Sequence, residues 1–205
     1  MVDALKIALI DDDAAVLDAL RLYLTRQGLD PACFLSADAF LSERNFAGQF
    51  DCVVADVRMP GISGLELVRR LADEEAALPI ILITGHGDIE MAVAAIKLGA
   101  ADFIEKPFDE ARLFETISRA GDKARRKKVQ ANYLDALRAR YASLSTRQRQ
   151  VMELAVTGML NKEMARRLGI SPRTVEIHRA WMMNRMDASN LADLVRMDIE
   201  LKAKK

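Results

Sequence analysis

At 205 residues, 51% of them hydrophobic, the chain has enough apolar side chains for two packed cores, so two domains are expected. Its 30 Lys and Arg balance 30 Asp and Glu, yet residues 1–120 hold 11 basic against 21 acidic side chains and residues 121–205 hold 19 against 9. Two cysteines without metal-ligand spacing, no signal-peptide pattern and no apolar run near the roughly 20 residues a bilayer demands argue against a disulfide-stapled or membrane-spanning chain. The expectation is a reduced, cytoplasmic protein.

Short apolar runs alternate with amphipathic stretches from the start. Leu5–Ile10 precedes Ala14–Gln27, Pro31–Leu35 precedes Ala37–Glu43, and Asp51–Ala55 precedes Gly64–Glu74. Pro79–Ile83 then precedes Ile89–Leu98, and Asp102–Glu105 precedes Glu110–Ala120. Five such pairs predict a doubly wound parallel sheet over residues 1–120. The runs are continuously apolar, as burial on both faces requires. Cys33 and Cys52 fall within two of them and read as small buried hydrophobes. Functional groups after the first and third runs favour a five-stranded flavodoxin-like order with its switch point between them.

Residues 121–142 open on the charge run KARRKK, after which Val129, Tyr133, Leu137, Tyr141 and Leu144 recur at helical spacing. This predicts a long linker helix whose apolar stripe packs on a domain or on a second copy. Residues 143–205 read as a four-helix unit. Ser145 and Gln148 have capping-box spacing for a helix to about Thr157, and Asn161 is placed to cap Lys162–Leu168. Gly169 stops that helix, Ser171 caps a third with Pro172 in its first turn, and Asn190 caps Leu191–Leu201. Two short helices around a glycine turn carry a helix-turn-helix signature.

The polar groups converge on one edge. Asp11, Asp12, Asp56, Thr84 and Lys106 each follow a predicted strand, and the carboxyl edge of an open α/β sheet is where such folds place their chemistry. Carboxylates there can hold a hard divalent cation, and a hydroxyl with an ammonium can hold phosphoryl oxygens. An aspartyl-phosphate hydrolase would use the same edge. It would need a second carboxylate two residues after the nucleophile as general acid, and Arg58 stands there. A basic helical unit suits a polyanion, and with little exposed aromatic surface besides Trp181 it suits RNA less than duplex DNA. Leu154, Met164, Leu168, Ile170 and Val175 read as its core, and Trp181 with Met182, Met183 and Met186 as mainly packing.

The motifs IDDD at 10–13, ADVRMPG at 55–61, ITGHGD at 83–88 and EKPF at 105–108 resemble the receiver domain of two-component response regulators. LSTRQRQVMELAVTGMLNKEMARRLGISPRTVEIHR at 144–179 resembles the LuxR/GerE-type DNA-binding domain, and the combination resembles the FixJ-type branch. The resemblance implies a receiver at 1–120, a helical linker at 121–142 and a DNA-binding domain at 143–205. It implies a transcriptional regulator, not an enzyme, whose Asp56 accepts a phosphoryl group from a sensor histidine kinase.

Mg²⁺ would be held by Asp11, Asp12, Asp56 and the backbone carbonyl of Arg58. Lys106, followed by a typically cis Pro107, would bind phosphoryl oxygens, Thr84 and Phe103 would form the switch, and Arg58 and His86 would border the phosphate. DNA would be met by Lys162, Ser171 and Thr174 at helix starts and by Arg173, Glu176, Ile177 and Arg179 along the third helix, with arginine reading guanine and glutamate reading cytosine. The resemblance further implies a phosphorylation-dependent homodimer through the face of helix 89–98, strand 102–105 and helix 110–120, and no membrane partner. The opposite charges of the halves suggest that the unphosphorylated receiver masks the basic domain.

Overall fold

The computed structural model describes residues 4–43, 46–72, 78–85 and 89–203 and divides into two compact units, Met1–Lys127 and Lys128–Lys205. In the first, strands β1 (Lys6–Ile10), β2 (Asp30–Phe34), β3 (Cys52–Asp56), β4 (Ile80–Thr84) and β5 (Asp102–Glu105) form one parallel sheet in the order β2-β1-β3-β4-β5. Around it run α1 (Ala14–Arg26), α2 (Ala37–Ser42), a short α3 (Phe46–Gln49), α4 (Gly64–Ala72), α5 (Ile89–Lys97) and the first part of α6 (Glu110–Ala142). The helix expected to reach Glu74 is described to Ala72; Glu74 lies outside the described residues.

Successive residues of each strand face opposite sides, and both sides are buried. Ala8, Ile10, Val53, Ala55, Ile80 and Leu82 pack under α2, α4 and α5 through Phe40, Leu67, Leu71 and Ala95. Ile7, Leu9, Cys52, Val54, Ile81 and Ile83 pack under α1 and α6 through Leu17, Leu20, Leu24, Leu113 and Ile117. This double burial is why the strands read as unbroken apolar runs. It holds least well at the sheet edge. Cys33, expected to be buried, is exposed, because β2 has a strand neighbour on one side only. Cys52, in the central strand, is fully buried, and burial followed by the nearby Asp51 charge pushes its thiol pKa up.

The first part of α6 is strapped to the amino edge of the sheet. A Cβ on Gly121 would stand 3.1 Å from Leu5 Cδ1, so the helix sits close on β1 there. One turn later the Arg125 guanidinium donates to Asp51 Oδ2 at 3.0 Å and to the Ala4 carbonyl at 3.1 Å, while Asp51 Oδ2 also accepts from the Lys6 amide. The ion pair is mostly withdrawn from solvent. Arg125→Met is expected to cost about 1–2 kcal/mol in urea unfolding of the full chain, since it leaves Asp51 half-satisfied.

The second unit has its own core. The later part of α6 joins α7 (Thr146–Ala155), α8 (Asn161–Leu168), α9 (Pro172–Met186) and α10 (Leu191–Lys202) around Leu137, Leu144, Met152, Met164, Val175 and Leu194. The apolar stripe of the linker is thus split. Leu134, Leu137 and Leu144 are buried and Tyr141 packs beside them, whereas Val129 and Tyr133 remain exposed. Tyr133 hydrogen-bonds Glu200, and this bond, ahead of desolvation, raises its pKa.

Ser145 and Gln148 make the expected capping box, with bonds of 2.9 and 3.3 Å. Ser171 accepts from the Thr174 amide, and Asn190 accepts from that of Asp193. Asn161 does not cap α8. The helix begins one residue earlier than expected, with Leu160 in the capping position and its amide donating to Glu163 Oε2 at 3.1 Å. The Asn161 side chain is occupied elsewhere, as an acceptor from Arg179 Nη1 at 2.9 Å. Trp181, expected mainly to pack, is 60% exposed, while Met182 and Met186 are fully buried.

Candidate functional site

The parallel register places the ends of β1, β3, β4 and β5 side by side. Lys106, directly after β5, reaches across this edge. Its ammonium donates to Asp56 Oδ1 at 2.7 Å and to Asp11 Oδ2 at 3.3 Å. The two carboxylate side chains are only 12% and 8% exposed. Their other oxygens are bound locally: Asp56 Oδ2 accepts from the Arg58 amide at 2.7 Å, and Asp11 Oδ1 from the Asp13 amide at 2.9 Å. The sequence expectation of a converging carboxylate pair with a lysine is therefore realised in the geometry. Asp13 is spent as the cap of α1, accepting from the Ala15 amide.

Burial acts to lower the Lys106 pKa, but the hydrogen bond that its ammonium donates to Asp56 and the charges of Asp11 and Asp56 outweigh it, and the net displacement is upward. A raised lysine pKa stabilises the folded state fully below the unfolded value near 10.4, and the contribution disappears as pH rises through the folded value. The Lys106 ammonium is accordingly charged throughout the neutral range.

Thr84 ends β4 beside this bridge, its carbonyl accepting from the Lys106 amide. Its side chain is 1% exposed, and Oγ1 has no hydrogen-bond partner among the described residues. A buried hydroxyl without a partner costs about 1–3 kcal/mol. Thr84→Val removes that cost, and its expected outcome is a melting temperature equal to or above that of the parent chain.

Phe103 is half-buried against the core beneath α4 and α5. The Lys106–Pro107 peptide bond is cis. Asp12 and Arg58 are exposed and share the wall of a cleft of about 620 Å³ with Met59, Pro60 and Met91. His86 lies outside the described residues.

Gly64, which no motif singled out, closes the loop after Asp56. Its amide donates to the Val57 carbonyl at 3.0 Å, and a Cβ on it would lie 2.5 Å from the Asp56 carbonyl oxygen and 2.9 Å from Val57 Cα. Nothing but glycine lets α4 start this near the Asp56 backbone. Its position one residue before an apolar helical pattern was the available signal.

Two carboxylates drawn onto one ammonium, beside the exposed Asp12 and the Arg58 backbone, match what a small hard dication asks of a protein. No group of three or more His, Cys, Asp or Glu side chains stands ready for a metal among the described residues. Mg²⁺ needs no such cage, because it keeps several waters and takes one or two carboxylates. The donor set therefore fits Mg²⁺.

In the second unit the candidate residues divide between exposed and engaged. Lys162, Ser171, Arg173, Glu176 and Ile177 are exposed, with Ile177 showing 44% of its surface. Ser171 Oγ and Thr174 Oγ1 lie 2.8 Å apart. Arg173 Nη1 stands 3.9 Å from Glu176 Oε2, a loose surface pair. Arg179 is partly buried and tied to Asn161, so it braces α8 against α9. Several other basic side chains hold backbone ends: Arg149 binds the carbonyls of Ala142 and Leu144, and Arg147 that of Leu168. Arg166 and Arg167, not picked from the sequence, are exposed on α8 without a hydrogen bond or ion pair among the described residues.

Comparison with known proteins agrees with this geometry. The response regulator receiver domain model matches residues 7–118, and the model for bacterial regulatory proteins of the luxR family matches residues 142–198. The transcriptional regulatory protein FixJ of Bradyrhizobium diazoefficiens is 46% identical over 191 residues, 93% of each chain. The structure of the response regulator StyR aligns with a TM-score of 0.85 at 36% identity, covering 95% of this chain and 98% of that one. Full-length FixJ from B. japonicum aligns with a TM-score of 0.58 at 44% identity over 98% of both chains. With both domain models matched in order and relatives alike along nearly its whole length, the chain belongs to the response regulators that couple a receiver domain to a LuxR-family DNA-binding domain.

Proposed function

We propose that this chain is a phosphorylation-controlled transcriptional regulator in which Asp56 accepts a phosphoryl group from a sensor histidine kinase. The observation that carries the reading is the buried Thr84 hydroxyl, without a hydrogen-bond partner among the described residues, beside the Lys106 bridge to Asp56 and Asp11. An orphaned hydroxyl at that place is accounted for by an oxygen that arrives later. In the transfer, an Asp56 carboxylate oxygen forms a bond to phosphorus as the donor's phosphorus–nitrogen bond breaks. Lys106 then turns from the carboxylate to the phosphoryl oxygens, and Thr84 gains its partner. Asp11, Asp12, Asp56 and the Arg58 carbonyl would hold Mg²⁺, which when bound neutralises charge on those oxygens.

Turning of Thr84 makes room for Phe103 to move inward, a two-state element biased by a local charge. Arg58 and His86 border the phosphate and tune its lifetime. The altered face, formed by α5, β5 and the start of α6, pairs two receivers, with the exposed Val129 and Tyr133 on the linker available to the same dimer. The receiver comprises residues 1–120, the linker 121–142 and the DNA-binding domain 143–205; the unit boundary after Lys127 and the gap between the two family matches support this division. Slow transfer onto and off Asp56 is signalling chemistry and not enzymatic turnover. Among the described residues no helix is long and apolar enough to cross a membrane.

In the DNA-binding domain, α9 enters the major groove, with Arg173, Glu176 and Ile177 toward the bases and Lys162, Ser171 and Thr174 toward phosphates. Arg179, placed in the same set from the sequence, contributes through its brace to Asn161. Arg173→Ala is expected to weaken operator binding by about 1–3 kcal/mol with an unchanged melting temperature, whereas Arg179→Ala lowers both. Gel-shift titration and thermal melts of the two variants separate these roles. The overall reading is tested by DNA-binding titrations before and after treatment with a small phosphodonor and Mg²⁺; equal affinity in both would overturn it.

A further inference from the structure

The KARRKK run serves two faces of α6, and only one of them is accounted for by the strap to Asp51. Arg119, Lys123 and Lys127 recur every fourth residue and so share a face. With Gly121 seated on Leu5 and Arg125 on Asp51, the rotation of the helix is set, and this cationic row borders a cleft of about 330 Å³. The cleft lies where β4 and β5 begin, at the opposite end of the sheet from Asp56. Leu78, Pro79, Ala101 and Ala120 give it apolar lining, and the nearly buried Thr116 adds a hydroxyl.

Charge at the cleft is unbalanced. Arg119 donates to Asp102 at 2.8 Å, but Lys123 and Lys127 have no hydrogen bond or ion pair among the described residues. Among the described residues that line it, three cations stand against one carboxylate, an excess of two positive charges. Like charges at this helical spacing are mildly destabilising in isolation, and a dianion between them reverses the sign. A cleft at the lower end of the size range of ligand pockets, apolar on one side and dicationic on the other, suits a compact molecule with an apolar body and one dianionic group.

We propose that this cleft binds a small phosphate monoester, its phosphoryl group held by Arg119, Lys123 and Lys127 and its apolar part lying on Leu78, Pro79, Ala101 and Ala120. The site is separate from the phosphoacceptor edge, and because α6 runs on from it into the linker, occupancy would stiffen the helix at the point where it leaves the receiver.

The test is titration of phenyl phosphate into the full-length protein without Mg²⁺, followed by amide NMR. Saturable shifts clustered at residues 99–102 and 116–127 are expected. Inorganic phosphate and phenol should each bind about tenfold more weakly, and the double variant Lys123→Gln/Lys127→Gln should lose at least about tenfold, one charge-assisted bond being worth that much. Shifts confined to residues near Asp11, Asp56 and Lys106, or undiminished binding by a double variant with an unchanged thermal melt, would overturn the proposal.

Discussion

Asp56→Asn is expected to abolish both phosphoryl uptake and the response of DNA binding to a phosphodonor. Asparagine matches the shape of aspartate and can still accept from the Arg58 amide, so the loop after β3 is kept. It has no anionic oxygen to attack phosphorus, and the charge that Lys106 meets at 2.7 Å disappears. In the parent chain, treatment with acetyl phosphate and Mg²⁺ should add phosphoryl mass and change operator affinity by about 1–3 kcal/mol, roughly 5–150-fold, the usual size of an allosteric coupling. The variant should show neither change while melting as a folded protein. Phosphoryl mass persisting on the variant would place the acceptor elsewhere, and a preserved DNA response without added mass would separate the phosphodonor effect from Asp56.

The second large effect is expected at Gly64. Gly64→Ala puts a methyl group 2.5 Å from the Asp56 carbonyl oxygen and 2.9 Å from Val57 Cα, and these are backbone atoms that no rotamer change can move aside. The whole turn from Asp56 to Gly64 must shift, at an overpacking cost of about 1–3 kcal/mol and a melting temperature several degrees lower. Because the displaced atoms carry Asp56 itself, phosphorylation rate should fall along with stability. Gly85→Ala is the comparison: a Cβ there meets nothing within 4 Å among the described residues, and its melting temperature should stay near that of the parent chain. Equal stability of the two variants would mean that α4 can retreat from β3 without penalty.

Asp56 and Gly64 are legible in the sequence to different degrees. Asp56 could be picked from the sequence because it ends an apolar run and sits in a motif with fixed spacing to Asp11, Thr84 and Lys106. Gly64 could not, since a glycine at a helix start has many ordinary reasons, and only the approach of two backbones identifies this one. The same holds for Arg179. In the sequence it is one more arginine on a basic helix; in the fold it is bonded to Asn161, eighteen positions away, and so braces α8 against α9. Cys33 departs from the buried pattern of its strand for a related reason. An apolar strand implies burial only when helices and neighbouring strands cover it, and β2 is at the edge.

What the sequence by itself determined is the alternation of elements, the carboxyl-edge convergence of Asp11, Asp56, Thr84 and Lys106, the capping of α7, α9 and α10, and membership of the two families. These follow from local rules: periodicity, capping chemistry and motif spacing are all carried by residues near one another in the chain. Only the tertiary structure decided that Thr84 is left without a partner among the described residues, that Arg125 straps the linker helix to Asp51, that Gly64 bears on Asp56, and that Lys123 and Lys127 face a cleft. Each of these depends on which distant backbone comes within a few ångströms, a quantity set by packing and not by any local pattern.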